Sequence, residues 1–519
     1  MSQYNIKQLA DYFAIDTTKL MENVQSVMAS GVIQELRLDS RHVQENDLFI
    51  ALKGLTKDGR NYIDSAIKSG AIAVLSESDD PSTNGTITLH SHNQYLVPQF
   101  NIYQLQDKLS AFANVFYDNP SAKMQVIGIT GTNGKTTISQ LIAQWATLLG
   151  IKSAMLGTIG NGLYNQLVPS NNTTSSAVEI QSFLASFLKQ GVELVAMEVS
   201  SHGLVLGRVK DVAFSASLFT NLSRDHLDFH HDMQAYEQAK WSLFSPNHNE
   251  LAVASSGKRI INFDDEVGKQ WISRLNDSIV VSAIPENLAM IQRLSHQFVA
   301  VKSVSFHECG ATILISSSWG EAEIESHLYG AFNVSNLLIA FATMLSIGCD
   351  FDKLVTTSNQ LKPVSGRMEI FSANNKPTLI VDYAHTPDAL EKALLAAKYH
   401  CKGKLWVIFG CGGDRDSGKR PIMASVAEKY ADKVIVTNDN PRTEDPNQII
   451  KDILAGFTNP TVVQVIKDRA SAIKSAVEQS CNNDIIVIAG KGHEDYQILG
   501  KVKHHYSDRE VAEQLMGLK

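Results

Sequence analysis

The chain is poor in cysteine. Cys309, Cys349, Cys401, Cys411 and Cys481 are the only five in 519 residues. An odd, scattered set without metal-type spacing excludes a disulfide framework and a structural zinc site, and fits a reducing compartment. Long apolar runs are also missing. No segment is long enough to cross a bilayer, and Met1-Ser2-Gln3-Tyr4-Asn5-Ile6-Lys7-Gln8 lacks the apolar core of a secretory signal. Positive charge is not in excess: 46 Lys and Arg stand against 54 Asp and Glu, a net charge of −8. That argues against nucleic acid as the main partner. Repeats of solenoid length and low-complexity tracts are absent as well. What remains is an ordinary globular composition, 44% hydrophobic and 19% charged. A chain of this length outgrows one hydrophobic core, so several domains are expected. The class expected is a soluble cytoplasmic enzyme.

The densest signal is Ile127-Gly128-Ile129-Thr130-Gly131-Thr132-Asn133-Gly134-Lys135-Thr136-Thr137. Met124 to Ile129 reads as a short buried strand. From Thr137 a helix is expected, with Ile138, Leu141, Ile142, Trp145, Leu148 and Leu149 on one face and Gly150 as its stop. The glycines between let backbone N–H groups approach phosphate oxygens, and the helix N-terminus adds partial positive charge. Lys135 can reach outer phosphates and the Thr136 hydroxyl can ligate Mg²⁺. The spacing departs from the common G-x-x-x-x-G-K-[ST] pattern, which would need glycine where Ile129 stands. A glycine turn that binds nothing is the competing reading. The strand before, the helix after and the Lys-Thr pair favour a nucleoside triphosphate.

Three blocks follow. Residues 1–100 mix short strands (Asp47 to Leu52, Ala71 to Leu75) with a helical pattern (Ile63 to Ser69), and Glu77 to Gly85 reads as turns. Residues 101–350 open with a helix from Leu105 to Phe116 and the phosphate loop, then alternate strands and helices as a parallel sheet demands. Residues 351–519 read as a second doubly wound unit. Its strands are Thr378 to Asp382, Leu405 to Phe409, Val434 to Thr437 and Ile485 to Ala489. Helices are expected at Asp388 to Lys398, Lys419 to Tyr430 and Arg469 to Glu478.

Charged residues gather where strands end. Glu198 closes the apolar run that begins at Leu194, and Asp225-His226 follows the strand pattern Ser217 to Thr220. An acid at a strand end beside a phosphate loop is where a Mg²⁺ ligand belongs. In the third block Phe409-Gly410-Cys411-Gly412-Gly413-Asp414-Arg415, Asp439-Asn440-Pro441-Arg442 and Gly490-Lys491-Gly492-His493-Glu494 each follow a strand. Together they mark the open edge of a sheet, where doubly wound folds bind ligands. Arg415, Lys419 and Arg420 suggest an anionic or zwitterionic ligand. Arg367 and Asp382 to Pro387 stand near the block boundary. Lys240 carries no local mark and reads as a helix-surface lysine.

Taken together, these motifs resemble the Mur ligases of peptidoglycan synthesis, and within them the members that add a diamino acid to a UDP-linked muramoyl dipeptide. Its marks are Leu38-Asp39-Ser40-Arg41; Gly131 to Thr137, Asn172-Thr173-Thr174, Met197 to Gly203, Asp225-His226 and Ala239-Lys240-Trp241; and Gly330-Ala331-Phe332-Asn333, Gly366-Arg367-Met368-Glu369, Asp382 to Pro387, Gly412 to Arg415, Asp439 to Arg442 and Lys491-Gly492-His493-Glu494. The short-spaced phosphate loop is the form that family uses. Two places depart from it. Leu206 stands where relatives often have glutamine, and Leu55-Thr56-Lys57 lacks a polar triplet seen in some relatives.

The resemblance implies an α/β fold of three domains: a mixed α/β N-terminal domain (1–100) for the UDP substrate, a central P-loop ATPase-like parallel-sheet domain (101–350), and a C-terminal Rossmann-like domain (351–519) for the amino acid. It implies ATP-dependent ligation of meso-2,6-diaminopimelate to UDP-N-acetylmuramoyl-L-alanyl-D-glutamate through an acyl phosphate, with ATP and Mg²⁺ as cofactors. Catalytic roles fall on Lys135, Glu198, His226 and Lys240. ATP contacts fall on Gly131, Thr132, Asn133, Gly134, Lys135, Thr136, Thr137, Asn333, Arg367 and Asp382. Mg²⁺ falls to Thr136, Glu198, His226 and Lys240, the last carbamylated to N6-carboxylysine. Leu38, Ser40, Asn172, Thr173, Thr174, Ser200 and Arg208 are expected to meet the UDP-dipeptide. Arg415, Asp439, Asn440, Pro441, Arg442, Gly490 and Glu494 are expected to meet diaminopimelate. No nucleic-acid or membrane partner is expected, and the chain is expected to act as a monomer. A lysine-adding member, a folylpolyglutamate-type ligase and a nucleotide-regulated binding protein are the alternatives.

Overall fold

The computed structural model describes residues 4–54, 57–92, 95–170, 172–244, 257–294, 296–307 and 310–518. Leu55, Thr56, Cys309 and the first three residues, all invoked above, lie outside the described residues. The chain folds into two compact units. One comprises Met1–Gly128, Lys152–Ser217 and Gln234–Gly257, the other Ile129–Ile151, Leu218–Met233 and Lys258–Lys519.

In the first unit a five-stranded sheet has the order Leu36–Arg37, Leu48–Ala51, Ala73–Ser78, Tyr95–Tyr103, Ile87–His92. The first four strands run parallel and the last antiparallel. Successive side chains of a strand point to opposite faces, and here both faces are covered. Ile50, Leu75 and Phe100 pack under the helices Ile6–Tyr12 and Leu105–Phe116 through Leu9, Phe112 and Phe116. Phe49 and Val74 face Ile63, Ala66 and Ile67 of the helix Ile63–Lys68. The polar stretch expected as turns is strand through Ser78. The turn then forms at Pro81–Thr83, capped by the Asp80 carboxylate on Ser82 N–H at 2.8 Å. The same unit holds the parallel pair Leu194–Glu198 and Ser153–Leu156, with Asn161–Leu163 and Gln166–Val168 added antiparallel.

In the second unit the phosphate-loop helix is Lys135–Leu148, two residues longer at its start than the sequence pattern suggests. Ile138, Leu141, Ile142 and Trp145 are buried as expected, but Leu148 is 37% exposed. Trp145 packs on Phe341 of the helix Ala331–Ser346, ring centroids 5.7 Å apart. The strands Lys258–Asn262, Ser278–Ser282 and Gln297–His307 are parallel, but Gly310–Ser317 and Gly320–Ser326 continue the sheet antiparallel. The parallel strands expected of that block are thus extended at one edge by two antiparallel strands that the sequence reading did not name. Ile313, Ile315 and Ile324 are buried, whereas Lys302 and Glu321 pair in solvent at 3.0 Å. Such half-wetted strands suit hairpins, not crossovers.

The same unit carries a six-stranded sheet, in the order Glu369–Phe371, Thr378–Asp382, Ile485–Ala489, Leu405–Phe409, Lys433–Val436, Gln464–Val465. All neighbours but the first pair are parallel. Helices Pro387–His400, Lys419–Tyr430 and Pro446–Leu454 bury Leu390, Met423 and Ile449 against Val407, Phe409 and Val487. Arg469–Gln479 and Asp508–Met516 bury Ile473 and Met516 against Trp406, Ile408 and Ile486. With helices on both faces, side chains reach solvent at the C-terminal strand edge, and the three motif loops all lie there. Among the described residues no helix is long and apolar enough to cross a membrane.

Candidate functional site

The phosphate loop is held from its flanks. Gly131 has φ +145° and Gly134 φ +89°. A Cβ at Gly131 would overlap Thr220 Oγ1, and one at Gly134 would stand 2.6 Å from Asn336 Oδ1. Only glycine meets both demands. Asn133 N–H donates to Asn221 Oδ1 at 2.9 Å, and its carbonyl accepts from Thr220 Oγ1 at 2.6 Å. Its side-chain amide donates to Asp388 at 3.1 Å. Thr132 and Ser223 lock the other side, Ser223 N–H donating to Thr132 Oγ1 at 3.0 Å. Lys135 Nζ donates to the carbonyls of Gly131 and Thr132 at 2.8 and 2.9 Å, so its charge stands over the loop. Thr136 and Thr137 open the helix and are nearly buried.

Arg367 approaches this loop. Its Nη2 lies 3.5 Å from Thr136 Oγ1, its plane covers the Tyr383 ring at 4.3 Å, and its buried Nε has no hydrogen-bond partner. An unpartnered buried donor of a cation is costly, and an anion beside Thr136 would satisfy it. Asp382 accepts from Met368 N–H at 2.7 Å and from Ala384 N–H at 2.8 Å, which fixes the turn that carries Arg367. Burial raises its carboxyl above the usual range, with Arg367 opposing. Asn333 accepts from Asn336 Nδ2 at 2.9 Å and donates to Tyr329 O at 2.8 Å. Asn336, one helical turn on, brings its Oδ1 against Gly134 of the loop, a place that no sequence motif gave it.

His226 sits at φ +55°, with Nε2 3.5 Å from Asp225 Oδ2. Burial would raise the Asp225 carboxyl, but the charges of His226, His385 and Lys135 together hold it below its ordinary value. Asp225 thus joins the phosphate-loop lysine electrostatically, a role the sequence reading did not give it.

In the first unit, Glu198 is 1% exposed at the end of its strand. Its carboxylate accepts from Thr158 N–H at 2.9 Å and Thr158 Oγ1 at 3.1 Å, and a Cβ at Gly157 would overlap Oε1. The Thr158 hydroxyl also lies 3.0 Å from that of Thr173, from which it can accept. Thr174 Oγ1 donates to the Glu198 carbonyl at 2.9 Å and lies 3.0 Å from the Ser200 hydroxyl, from which it can accept, while Arg208 Nη1 donates to Thr174 O at 2.7 Å. Thr173, Thr174, Glu198, Ser200 and Arg208 therefore form one cluster, with exposed Asn172 at its rim. Thr158 is a member no sequence motif named. Ser40 is buried at the start of a short helix capped by Asp39, whose carboxyl is pushed down to about 2 by hydrogen bonds from Arg41. Leu38 packs partly buried beside it. Lys240 corrects the surface reading: it is 1% exposed on the helix Met233–Trp241, with Nζ 4.5 Å from the Tyr236 ring centre.

Among the described residues no group of three His, Cys, Asp or Glu forms a ready metal cage. Mg²⁺ uses hard oxygens, keeps waters and leans on few carboxylates plus substrate phosphates. The Thr136 hydroxyl in the second unit and the Glu198 carboxylate in the first are each of that chemistry.

At the C-terminal strand edge of the second unit, Arg442 has φ +53°. Its backbone is clamped by Ile498 O at 3.1 Å and Gly500 N–H at 2.8 Å. Its Nη1 donates to Gly413 O at 2.9 Å. Asp439, Asn440 and Pro441 are buried, and Asn440 Nδ2 donates to Glu494 at 2.9 Å. Gly490, at φ +121°, lies so close to Asp439 that a Cβ would stand 3.1 Å from Oδ2. Arg415 is exposed, donating to Asp414 O at 3.0 Å. Arg420 corrects the ligand reading of its cluster. It is buried and paired with Glu444 at 2.6 Å and Asp452 at 2.8 Å, and it supports the Gly412 carbonyl instead. Beneath Gly490, Arg469 is fully buried. It binds Asp508 at 2.7 Å and the Ala489 carbonyl at 2.9 Å.

Residues 32–117 match the model described as Mur ligase family, catalytic domain; 129–344 match the Mur ligase middle domain; 366–492 match the Mur ligase, glutamate ligase domain. A UDP-N-acetylmuramoyl-L-alanyl-D-glutamate--2,6-diaminopimelate ligase of Haemophilus influenzae strain PittEE is 52% identical over 480 residues, covering 92% of this chain and 95% of the relative. A solved structure of a ligase of the same name aligns with TM-score 0.66 at 33% identity over 99% of both chains. The MurF ligase of Thermotoga maritima, in complex with ADP, aligns with TM-score 0.58 at 16% identity over 89% of this chain and 94% of that one, a likeness of fold.

Proposed function

The chain belongs to the Mur ligase family, and from that premise we infer that it ligates meso-2,6-diaminopimelate to UDP-N-acetylmuramoyl-L-alanyl-D-glutamate in peptidoglycan precursor synthesis. It is an ATP-dependent acid–amino-acid ligase. The observation that carries this reading is 52% identity across 92% of the chain with a ligase of that name. The presentation of Arg442 over the Gly412-Gly413 turn supports the diamino acid chosen. We assign residues 1–100 to the UDP substrate, 101–350 to ATP and 351–519 to the amino acid. The enzyme works in the cytoplasm, where its nucleotide-linked substrates are made.

The glutamyl carboxylate attacks the γ-phosphorus of ATP, the bond to the β-γ bridging oxygen breaks, and ADP leaves. The diaminopimelate amine then attacks the acyl carbon, phosphate departs with the C–O electron pair, and the amine nitrogen loses its proton. The first step brings two anions together. Lys135 and the loop N–H groups offset that repulsion and hold the reacting groups in line. Arg367 adds a cation at the Thr136 end of the loop. Mg²⁺, when bound, supplies further positive charge. Thr136, Glu198, His226 and carbamylated Lys240 are assigned to hold it and the phosphates. Thr173, Thr174, Ser200 and Arg208 orient the dipeptidyl substrate, and Leu38 and Ser40 the uridine nucleotide. At the amino-acid end Arg442 and Arg415 take carboxylates and Glu494 takes an ammonium group.

The test is phosphate release from ATP and Mg²⁺ with the UDP-dipeptide and diaminopimelate added singly and together. Release only with both supports the reading. Equal turnover of lysine would point to the lysine-adding relative, and release with a folate and glutamate to the folylpolyglutamate type. Release with neither acceptor set would leave a nucleotide-regulated binding protein.

A further inference from the structure

One buried cation has no part in that chemistry. Lys491 is 0% exposed, and its Nζ donates to Asn440 Oδ1 at 3.0 Å, Glu494 Oε2 at 3.2 Å and Asp439 Oδ1 at 3.4 Å. The Tyr496 ring closes the remaining side at 5.7 Å. An ammonium has only three donors, and here each has its acceptor. Lys491 is therefore saturated and is not left to greet a substrate.

The acceptors come from two chain segments that the sheet does not join. Asp439 and Asn440 follow the strand Lys433–Val436, while Glu494 follows Ile485–Ala489. Between those strands runs Leu405–Phe409, paired with each. Beyond the strand ends an isolated backbone bridge pairs Arg442 with Leu499, past Glu494, and the Gln497 side chain donates to the Asp439 carbonyl at 2.6 Å. Lys491 adds a charged side-chain link between the two loops on the Glu494 side of that bridge, with Asn440 Nδ2 bonding Glu494 beside it. The charges have the same logic. Asp439 and Glu494 are two carboxylates facing one cation. The ammonium keeps them from repelling each other and leaves one net negative charge toward an incoming amino group.

We propose that Lys491 is the positioning residue of the amino-acid site. It fixes the separation between Glu494, which takes an ammonium, and the Asp439–Arg442 turn, which presents the guanidinium for a distal carboxylate. Selectivity for a diamino acid with that extra carboxylate then depends on Lys491, although it touches no substrate. The inference rests on the functional reading above.

The test uses the full chain with Lys491→Met and Lys491→Arg, at saturating ATP and UDP-dipeptide, and reads KM and kcat for diaminopimelate and for lysine. ADP affinity by calorimetry reports separately on the phosphate loop. Lys491→Met is expected to raise KM for diaminopimelate about 10²-fold, the usual effect of leaving a buried charge without its partner. The preference for diaminopimelate over lysine falls by about tenfold, while ADP affinity stays within about threefold. Lys491→Arg keeps the charge and shows a smaller rise in KM. In a cycle with Glu494→Gln the losses are non-additive, because the cation acts through that carboxylate. Parental KM and preference in both variants would overturn the proposal. So would equal losses of ADP affinity and amino-acid KM with the preference intact. If Lys491→Met fails to bind ADP, Lys491→Arg decides alone. Raised KM with retained ADP affinity supports the role, and parental KM refutes it. A parent that uses lysine as well as diaminopimelate would sink the functional reading instead, and the KM split measured with lysine would still judge Lys491.

Discussion

The Arg442 guanidinium donates to the Gly413 carbonyl at 2.9 Å, and a side chain at Gly412 would stand 2.8 Å from the same nitrogen. The two glycines are thus the floor on which a planar, bidentate donor rests. Its left-handed backbone, φ +53°, is held by Ile498 and Gly500.

Diaminopimelate and lysine differ by one distal carboxylate. Lysine would leave Arg442 desolvated and without its anion, so discrimination by several powers of ten is expected. Arg442→Ala should erase most of it. The ratio of kcat/KM for the two amino acids, in parent and variant, decides. A variant with the full parental preference would place selectivity elsewhere.

Lys135→Ala removes the charge that stands over the phosphate loop. Loss of one such group costs about 10²–10³ in kcat. Steady-state turnover at saturating substrates checks this, and parental turnover would show that the loop is not where phosphoryl transfer occurs.

Lys240 is buried against Tyr236. Burial disfavours a bare ammonium, whereas a carbamate is a two-oxygen anion suited to Mg²⁺. Lys240→Ala should lose most activity, and added short carboxylates should restore part of it. Mass spectrometry of the intact parent at high carbon dioxide should show the extra carboxyl. Full activity in the plain alanine variant would end the idea.

His493 gives a pH signature. Burial, with Arg367 and Arg509 nearby, pushes its imidazole down to about 3 from an ordinary 6.5. Its ring lies 5.1 Å from that of Tyr383. The fold keeps it neutral while the unfolded chain takes a proton near 6.5. Between those values the unfolded state binds more protons. The contribution is therefore complete above pH 6.5 and is lost as pH falls toward 3. The slope is about 1.4 kcal/mol per pH unit, so about 2 kcal/mol has gone at pH 5. In urea unfolding at pH 7 and pH 5, His493→Gln should lose less stability on acidification than the parent by that amount. Equal losses would mean the ring is solvated.

The sequence disclosed most where a segment's role is uniform along its length. Thr378–Asp382, Leu405–Phe409 and Ile485–Ala489 are buried on both faces and bounded by polar loops, so an apolar run marks their ends. The antiparallel strands Gly310–Ser317 and Gly320–Ser326 escaped notice because Thr312, Glu321, Glu323 and Glu325 interrupt the apolar pattern on a wetted face. At the site, motif glycines and strand-end acids were visible because they are unusual locally. Thr158 and Asn336 were not, and Lys240 was named only through the family resemblance. Each is an ordinary residue on its own element, given meaning by a neighbour far along the chain or one helical turn away. Arg420 misled for the converse reason: a cation in a glycine-rich loop looks like a ligand group until Glu444 and Asp452 are seen around it.

The Arg469–Asp508 pair has a consequence for the order of events during synthesis. Asp508 follows every strand of the C-terminal sheet in the chain, yet it neutralises the guanidinium that supports the Ala489 carbonyl just before Gly490. Until Asp508 has left the ribosome, Arg469 is a cation that the sheet cannot bury without large cost. The strands can pair earlier, but the turn assigned to the amino acid acquires its final form only after Asp508 has emerged. A nascent chain stalled before that point should bind nucleotide and ignore diaminopimelate.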